Sequence, residues 1–169
     1  MKTAIMTDTG GFRFSNTTSR TMEFASKLIS CGANPCDIYQ KCYESYSKDR
    51  VLFQSYCLNK AKFSEDNKIA YMTVYKKDLE KFNNNGDDFT DGLTEKLRVI
   101  NTTEIAFVLK ELNSTTSKLS MRSKSADISK VCLAFGGGGH KLAAGAVIKA
   151  GVSRAVKLVL DEINKQGLC

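Results

Sequence analysis

The sequence predicts an α/β protein in which an incomplete, mostly helical segment (residues 1–63) precedes a complete unit with a mixed sheet (residues 67–169). Three observations predict it. After residue 67, β-branched and aromatic runs alternate with amphipathic helical stretches, the pattern of a sheet covered by helices. Before residue 63 there is one strand-like run, and a lone strand has no partner for its backbone groups. Between them lies the polar stretch Ser64-Glu65-Asp66-Asn67, the predicted boundary.

The elements follow in order. Residues 3–7, TAIMT, read as a buried strand stopped by a tight turn at Asp8-Thr9-Gly10-Gly11. An all-helical cluster is the alternative, and it leaves TAIMT without a role. Thr18 or Ser19 caps a helix whose Met22, Ala25, Leu28 and Ile29 share a face, and Gly32 ends it. Asn34-Pro35 opens the next, with Ile38, Cys42 and Tyr46 behind it. Ser47 begins a third, carrying Val51, Leu52 and Tyr56 toward Phe63.

Ile69 to Tyr75 reads as a strand, 77–82 as a short helix and 83–88 as a loop. Leu93, Leu97 and Ile100 mark a helix. Glu104 to Leu112 and Lys118 to Arg122 are strands joined by a turn at Asn113-Ser114-Thr115. Ile128, Val131, Cys132 and Phe135 follow helical spacing over 127–135. Ala146-Val147-Ile148 is a strand, and 152–165 is a last helix with Val156, Val159, Leu160 and Ile163 on one face.

The formal net charge of +7 favours anionic partners, though the lysines are spread out and form no polybasic arm. No apolar run is long enough to span a membrane, and the N-terminus lacks a secretory pattern, so a cytoplasmic location is expected. The six cysteines include no CxxC pair, and with one histidine in the chain they suggest reduced, small hydrophobes rather than a zinc site. The N-x-T triplets at Asn16, Asn101 and Asn113 read as chance matches.

The most informative stretch is AFGGGGHKLAAG, residues 134–145. Successive glycines permit positive φ and close approach of backbone N–H groups to an anion or a base, and His140 can donate to a phosphate or stack on a base. A structural turn with an incidental histidine is the competing interpretation. A domain linker is excluded by position, because the stretch lies inside the second unit. Arg122 ends its strand on the face shared with Ser120, where its planar fork can grip a phosphate.

GGGGHKLAAG resembles the GGGHxxAAG signature of the DHH-associated domain, the C-terminal half of DHH-family phosphoesterases. Thr7 to Phe14 with Asn16-Thr17-Thr18 is similar to the last metal-binding motif of the catalytic DHH domain, and Asp91-Gly92 and Met121-Arg122-Ser123 extend the likeness. It is nearest to the oligoribonucleases that also dephosphorylate phosphoadenosine phosphate. The resemblance implies a partial catalytic domain followed by a complete DHH-associated domain. It further implies Asp8 as a strand-end ligand of Mn²⁺ or Mg²⁺ in the intact enzyme. Arg122, Ser123, Gly136, Gly137, Gly138, Gly139 and His140 are implied to hold short RNA or DNA oligonucleotides, or phosphorylated adenosine nucleotides.

The sequence departs from that family where the chemistry is densest. The Asp-His-His triplet and the upstream metal motifs are absent, and one aspartate cannot hold a two-metal centre. The chain is therefore expected to be a truncated, nearly inactive part of a hydrolase, to bind no metal tightly and to aggregate or self-associate, a homodimer being one such form, through uncovered helix faces. A nucleotide- or RNA-binding module without catalysis is the alternative, as is a relative acting on polyphosphate or cyclic dinucleotides.

Overall fold

A computed structural model describes residues 2–82 and 88–169. It divides into two units, Met1–Ser47 and Lys48–Cys169.

The described residues of unit 1 form three helices, α1 (Lys2–Asp8), α2 (Ser19–Ser30) and α3 (Pro35–Tyr43). The starts of α2 and α3 are those the sequence predicts. Thr18 and Thr21 exchange side-chain and backbone hydrogen bonds at the head of α2. The Asn34 side chain accepts from the amides of Cys36 and Asp37 ahead of Pro35.

The strand predicted over residues 3–7 is instead helix α1. A five-residue apolar run fits either form. With no partner strand among the described residues of unit 1, only a helix satisfies its backbone internally. The turn after Asp8 is present: Thr9 Oγ1 donates to the Ile5 carbonyl at 2.6 Å and accepts from the Phe12 amide at 3.0 Å. Tyr43 Oη ties α3 to α1 by donating to the Met6 carbonyl at 3.1 Å. The core here is thin. Met6 is buried, but α2 and α3 fully bury no residue. Met6, Met22, Leu28, Ile29 and Ile38 line an open apolar cleft of about 400 Å³.

Unit 2 begins earlier than the predicted boundary. Its first helix, α4 (Lys48–Leu58), buries Phe53, Gln54 and Cys57, so it belongs with the sheet. It stops at Leu58 rather than near Phe63, and Lys62–Phe63 forms β1. The stretch 64–67 is then a hairpin turn, in which the Asn67 amide donates to the Ser64 carbonyl at 2.9 Å. The order continues β2 (Ile69–Val74), α5 (Lys76–Leu79), α6 (Leu93–Arg98), β3 (Ile105–Asn113), β4 (Thr116–Ser123), α7 (Ser129–Ala134), β5 (Gly138–His140), β6 (Ala143–Ile148) and α8 (Val152–Lys165). Of the loop predicted over 83–88, residues 83–87 lie outside the described residues.

The six strands run β1-β2-β3-β4-β6-β5, with β2 and β3 parallel and the other neighbours antiparallel. Alternation sends side chains to two faces. Ile105, Phe107, Leu109, Leu119, Met121, Ala144, Ala146 and Ile148 pack on one face with Val131 and Cys132 of α7 and Val152, Ala155, Val159 and Ile163 of α8. Ala70, Met72, Val74, Ala106 and Val108 pack on the other with Phe53 and Cys57 of α4 and Leu93 and Leu97 of α6.

All six cysteines are free, but only Cys57 and Cys132 behave as core hydrophobes. Burial pushes the Cys57 thiol up to about 12 and Cys132 to about 11, which leaves both protonated and inert. Cys31, Cys36 and Cys169 are exposed, contrary to the sequence expectation, and unit 1 has too little interior to enclose Cys31 or Cys36. No helix of the described residues is long and apolar enough to cross a membrane.

Candidate functional site

The second sheet face is only partly covered. Helix α6 reaches across β2, β3 and β4. Beyond β4 the face opens into a groove of about 590 Å³ whose floor is β4, β6 and β5. Strand register decides which side chains stand in it, because directly opposed antiparallel residues share a face.

One row runs Arg122, Ala143, His140, and the next Ser120, Gly145, Gly138. The register therefore puts Arg122 and His140 on the same face, two strand spacings or about 10 Å apart with Ala143 between them; Arg122 lines the groove, whereas His140 is exposed beyond its lining residues. The neighbouring row is bare backbone at Gly145 and Gly138. Lys118 follows on the same face of β4, beside Val147. It is exposed and has no acidic partner among the described residues. Arg122 Nε donates to Glu95 Oε1 at 2.7 Å, and Nη1 to the Met121 carbonyl at 2.8 Å. A smaller polar cleft of about 100 Å³ adjoins the groove at Arg122, lined on its far side by Asp88, Asp91 and Glu95.

The four glycines are not one flexible cradle. Gly136, at φ +73, ends α7: its amide donates to Leu133 and that of Gly137 to Cys132, the paired bonds of a left-handed helix stop. Both amides are thus spent inside the protein. Gly137 is glycine because a Cβ there would lie 2.2 Å from the Gly145 carbonyl oxygen and 2.5 Å from the Ala146 Cβ. Gly139, at φ +145, is equally tight against β6. Only Gly138 and Gly136 face open space, and only Gly138 does so without a positive φ. What the sequence presents as a loop is largely edge strand β5, built from residues too small to signal a strand.

Ser123 does not join the groove. It sits opposite Ile105 on the other face, is 1% exposed, and its Oγ donates to the Ala126 carbonyl at 2.6 Å. The tripeptide around Arg122 placed both residues at the substrate, but alternation along a strand separates them. The loop after β4 is held by Glu104 Oε1, which accepts from the amides of Ser125 and Ala126 at 2.7 and 2.8 Å. Burial works to raise the Glu104 carboxyl, yet these bonds hold it below its usual range.

Asp8 ends helix α1 rather than a strand and is exposed, with its backbone carbonyl accepting from Asn16 Nδ2 at 3.0 Å. Among the described residues no group of three or more His, Cys, Asp or Glu is placed to hold a metal ion. The donors present among the described residues do not fit a two-metal centre.

Residues 66–166 match the DHHA1 domain. The chain belongs to the DHHA1 family. The groove thus lies wholly within the DHHA1 region, as do Arg122, Glu95 and His140. The bifunctional oligoribonuclease and PAP phosphatase NrnA of Bacillus subtilis is 28% identical over 144 residues, 85% of this chain and 45% of that protein. The protein of the same name from Thermus thermophilus is 27% identical over 172 residues, 98% of this chain and 50% of its own length. Among solved structures, an exopolyphosphatase-related protein from Bacteroides fragilis superposes with a TM-score of 0.85 at 29% identity, over 95% of this chain and 47% of that one. The chain spans about half the length of these relatives. The family likeness read from GGGGHKLAAG and Arg122 holds.

Lys118, Ser120, Ala143 and Gly145 complete the groove and were not singled out as site residues by the sequence. The signal for Lys118 was there: the alternation that puts Ser120 and Arg122 on one face also puts Lys118 on it.

Proposed function

We propose that the DHHA1 unit binds a short oligonucleotide or a phosphorylated adenosine nucleotide in the groove over β4, β6 and β5. The intact protein would then be a phosphoesterase that hydrolyses it. The observation that carries this reading is the row Arg122–Ala143–His140 beside the bare Gly145–Gly138 row. Arg122 grips a phosphate, His140 donates a hydrogen bond to the same group or stacks on its base, and the glycine strip lets a flat base or ribose approach the sheet. Lys118 adds positive charge at the far end. The names carried by the NrnA relatives agree with a nucleotide ligand.

Titration of the chain with the 5′-phosphorylated diadenylate pApA tests this. A charge-assisted hydrogen bond is worth about 1.5–3 kcal/mol, so Arg122→Ala should weaken binding about tenfold or more. His140→Ala should weaken it by a smaller factor. Affinity unchanged in both variants would refute the assignment. The Bacteroides fragilis structure suggests polyphosphate as a second reading. Tripolyphosphate that displaces pApA at equal or lower concentration would favour it.

A further inference from the structure

The arginine of the groove is already held by the protein, and the way it is held leaves part of its guanidinium without a partner. A guanidinium has five N–H bonds in a rigid plane. Arg122 spends Nε on Glu95 Oε1 at 2.7 Å and an Nη1 bond on the Met121 carbonyl at 2.8 Å. Nη2 has no partner among the described residues. One N–H of Nη1 and both of Nη2 therefore remain to meet a phosphate.

Glu95 is suited to that task. It lies in α6, whose Leu93, Thr94 and Leu97 are buried, so its backbone is fixed. The other acids of the adjoining cleft are committed elsewhere, Asp88 to Lys110 at 3.0 Å and Asp91 to Arg50 at 3.2 Å. We infer that Glu95 is a positioning residue: it anchors Arg122 so that the remaining guanidinium N–H bonds serve the groove that Arg122 lines, and a ligand phosphate meets a pre-ordered donor group. The inference rests on the reading that the groove binds phosphate.

The opposite role, a carboxylate competing with the ligand for Arg122, is the weaker effect. The side chains are 33% and 43% exposed, so solvent screens the pair, and exposed pairs alter affinity only about one- to fivefold. Ordering one long side chain before binding is worth about two- to twelvefold. Three N–H bonds also remain for the phosphate, which need not displace the carboxylate.

The test is pApA affinity of the full chain in a double-mutant cycle with a conservative control. Glu95→Ala should weaken binding about three- to tenfold. Glu95→Gln, whose amide oxygen still accepts from Nε, should stay within about twofold of wild type. In an Arg122→Ala background, Glu95→Ala should change nothing further, which a general structural role would not produce. Tighter or unchanged binding by Glu95→Ala, or no rescue by Glu95→Gln, overturns the inference while leaving the groove in place. Wild-type affinity in Arg122→Ala overturns this inference, and wild-type affinity in His140→Ala as well overturns the groove reading with it.

Discussion

Residues 48–169 and residues 1–47 use similar apolar side chains to opposite effect. In unit 2, Phe53, Phe107, Leu109, Leu119 and Ile163 are fully enclosed between a six-stranded sheet and the helices on its two faces. In unit 1, Met22, Phe24 and Ile29 sit on one well-capped helix, α2, yet each is about half exposed. Capping and amphipathic spacing settle where a helix starts and which side is apolar. They do not enclose that side, and enclosure is where most of the stabilisation arises.

Paired substitutions break this contrast most sharply. Phe107→Ala in unit 2 should cost about 3–5 kcal/mol, whereas Met22→Ser in unit 1 should stay within about 0.5 kcal/mol. Urea unfolding of both variants checks it, and a large loss from Met22→Ser would show that unit 1 is enclosed after all.

Acid titration gives the next effect. Asp78 of unit 2 is buried, which alone would raise its carboxyl; donation from Tyr56 Oη at 2.7 Å, the Tyr75 amide at 3.1 Å and the Lys60 ammonium at 3.1 Å reverses this and holds it below its ordinary 3.8. A carboxyl depressed by folding stabilises above its ordinary pKa, and the contribution is lost as pH falls through the folded value. Stability should therefore hold from neutral pH down to about 5 and fall below about 4. Asp78→Asn should cost about 1.5–3 kcal/mol at pH 7 and flatten that acid limb.

The glycines sharpen the comparison inside the site. Gly137→Ala forces a Cβ into β6 and should cost about 1–3 kcal/mol. Gly138→Ala meets open space and should leave the melting temperature nearly unchanged while weakening pApA binding, since its methyl enters the groove. Equal stability losses would contradict the division of labour assigned to the two.

Much of this was legible in the sequence because local signals and packing agree. Helix α8 runs over 152–165 as its spacing predicts, with Val159 and Ile163 buried, and β2, β3 and β4 lie over the runs that read as strands. Residues 3–7 were misread because a five-residue apolar run has no period that separates strand from helix. Strand β5 was missed because glycine carries no strand propensity, and its pairing with β6 is a contact the local sequence does not encode. Arg122 and His140 were legible as residue types, and the register added that they share a face. Ser123 was misassigned because adjacency in sequence is opposition in a strand. The Glu95–Arg122 pair joins a helix to a strand, and no local pattern announces it.

The central claim is that the open half of the sheet face is where a phosphate-bearing ligand sits. Backbone amide NMR of the chain titrated with pApA tests it residue by residue. Shifts concentrated at Arg122, Gly138, His140, Ala143 and Gly145, with α8 and residues 2–47 unmoved, are the predicted result. Shifts in α8 or residues 2–47 with none in the groove would contradict it.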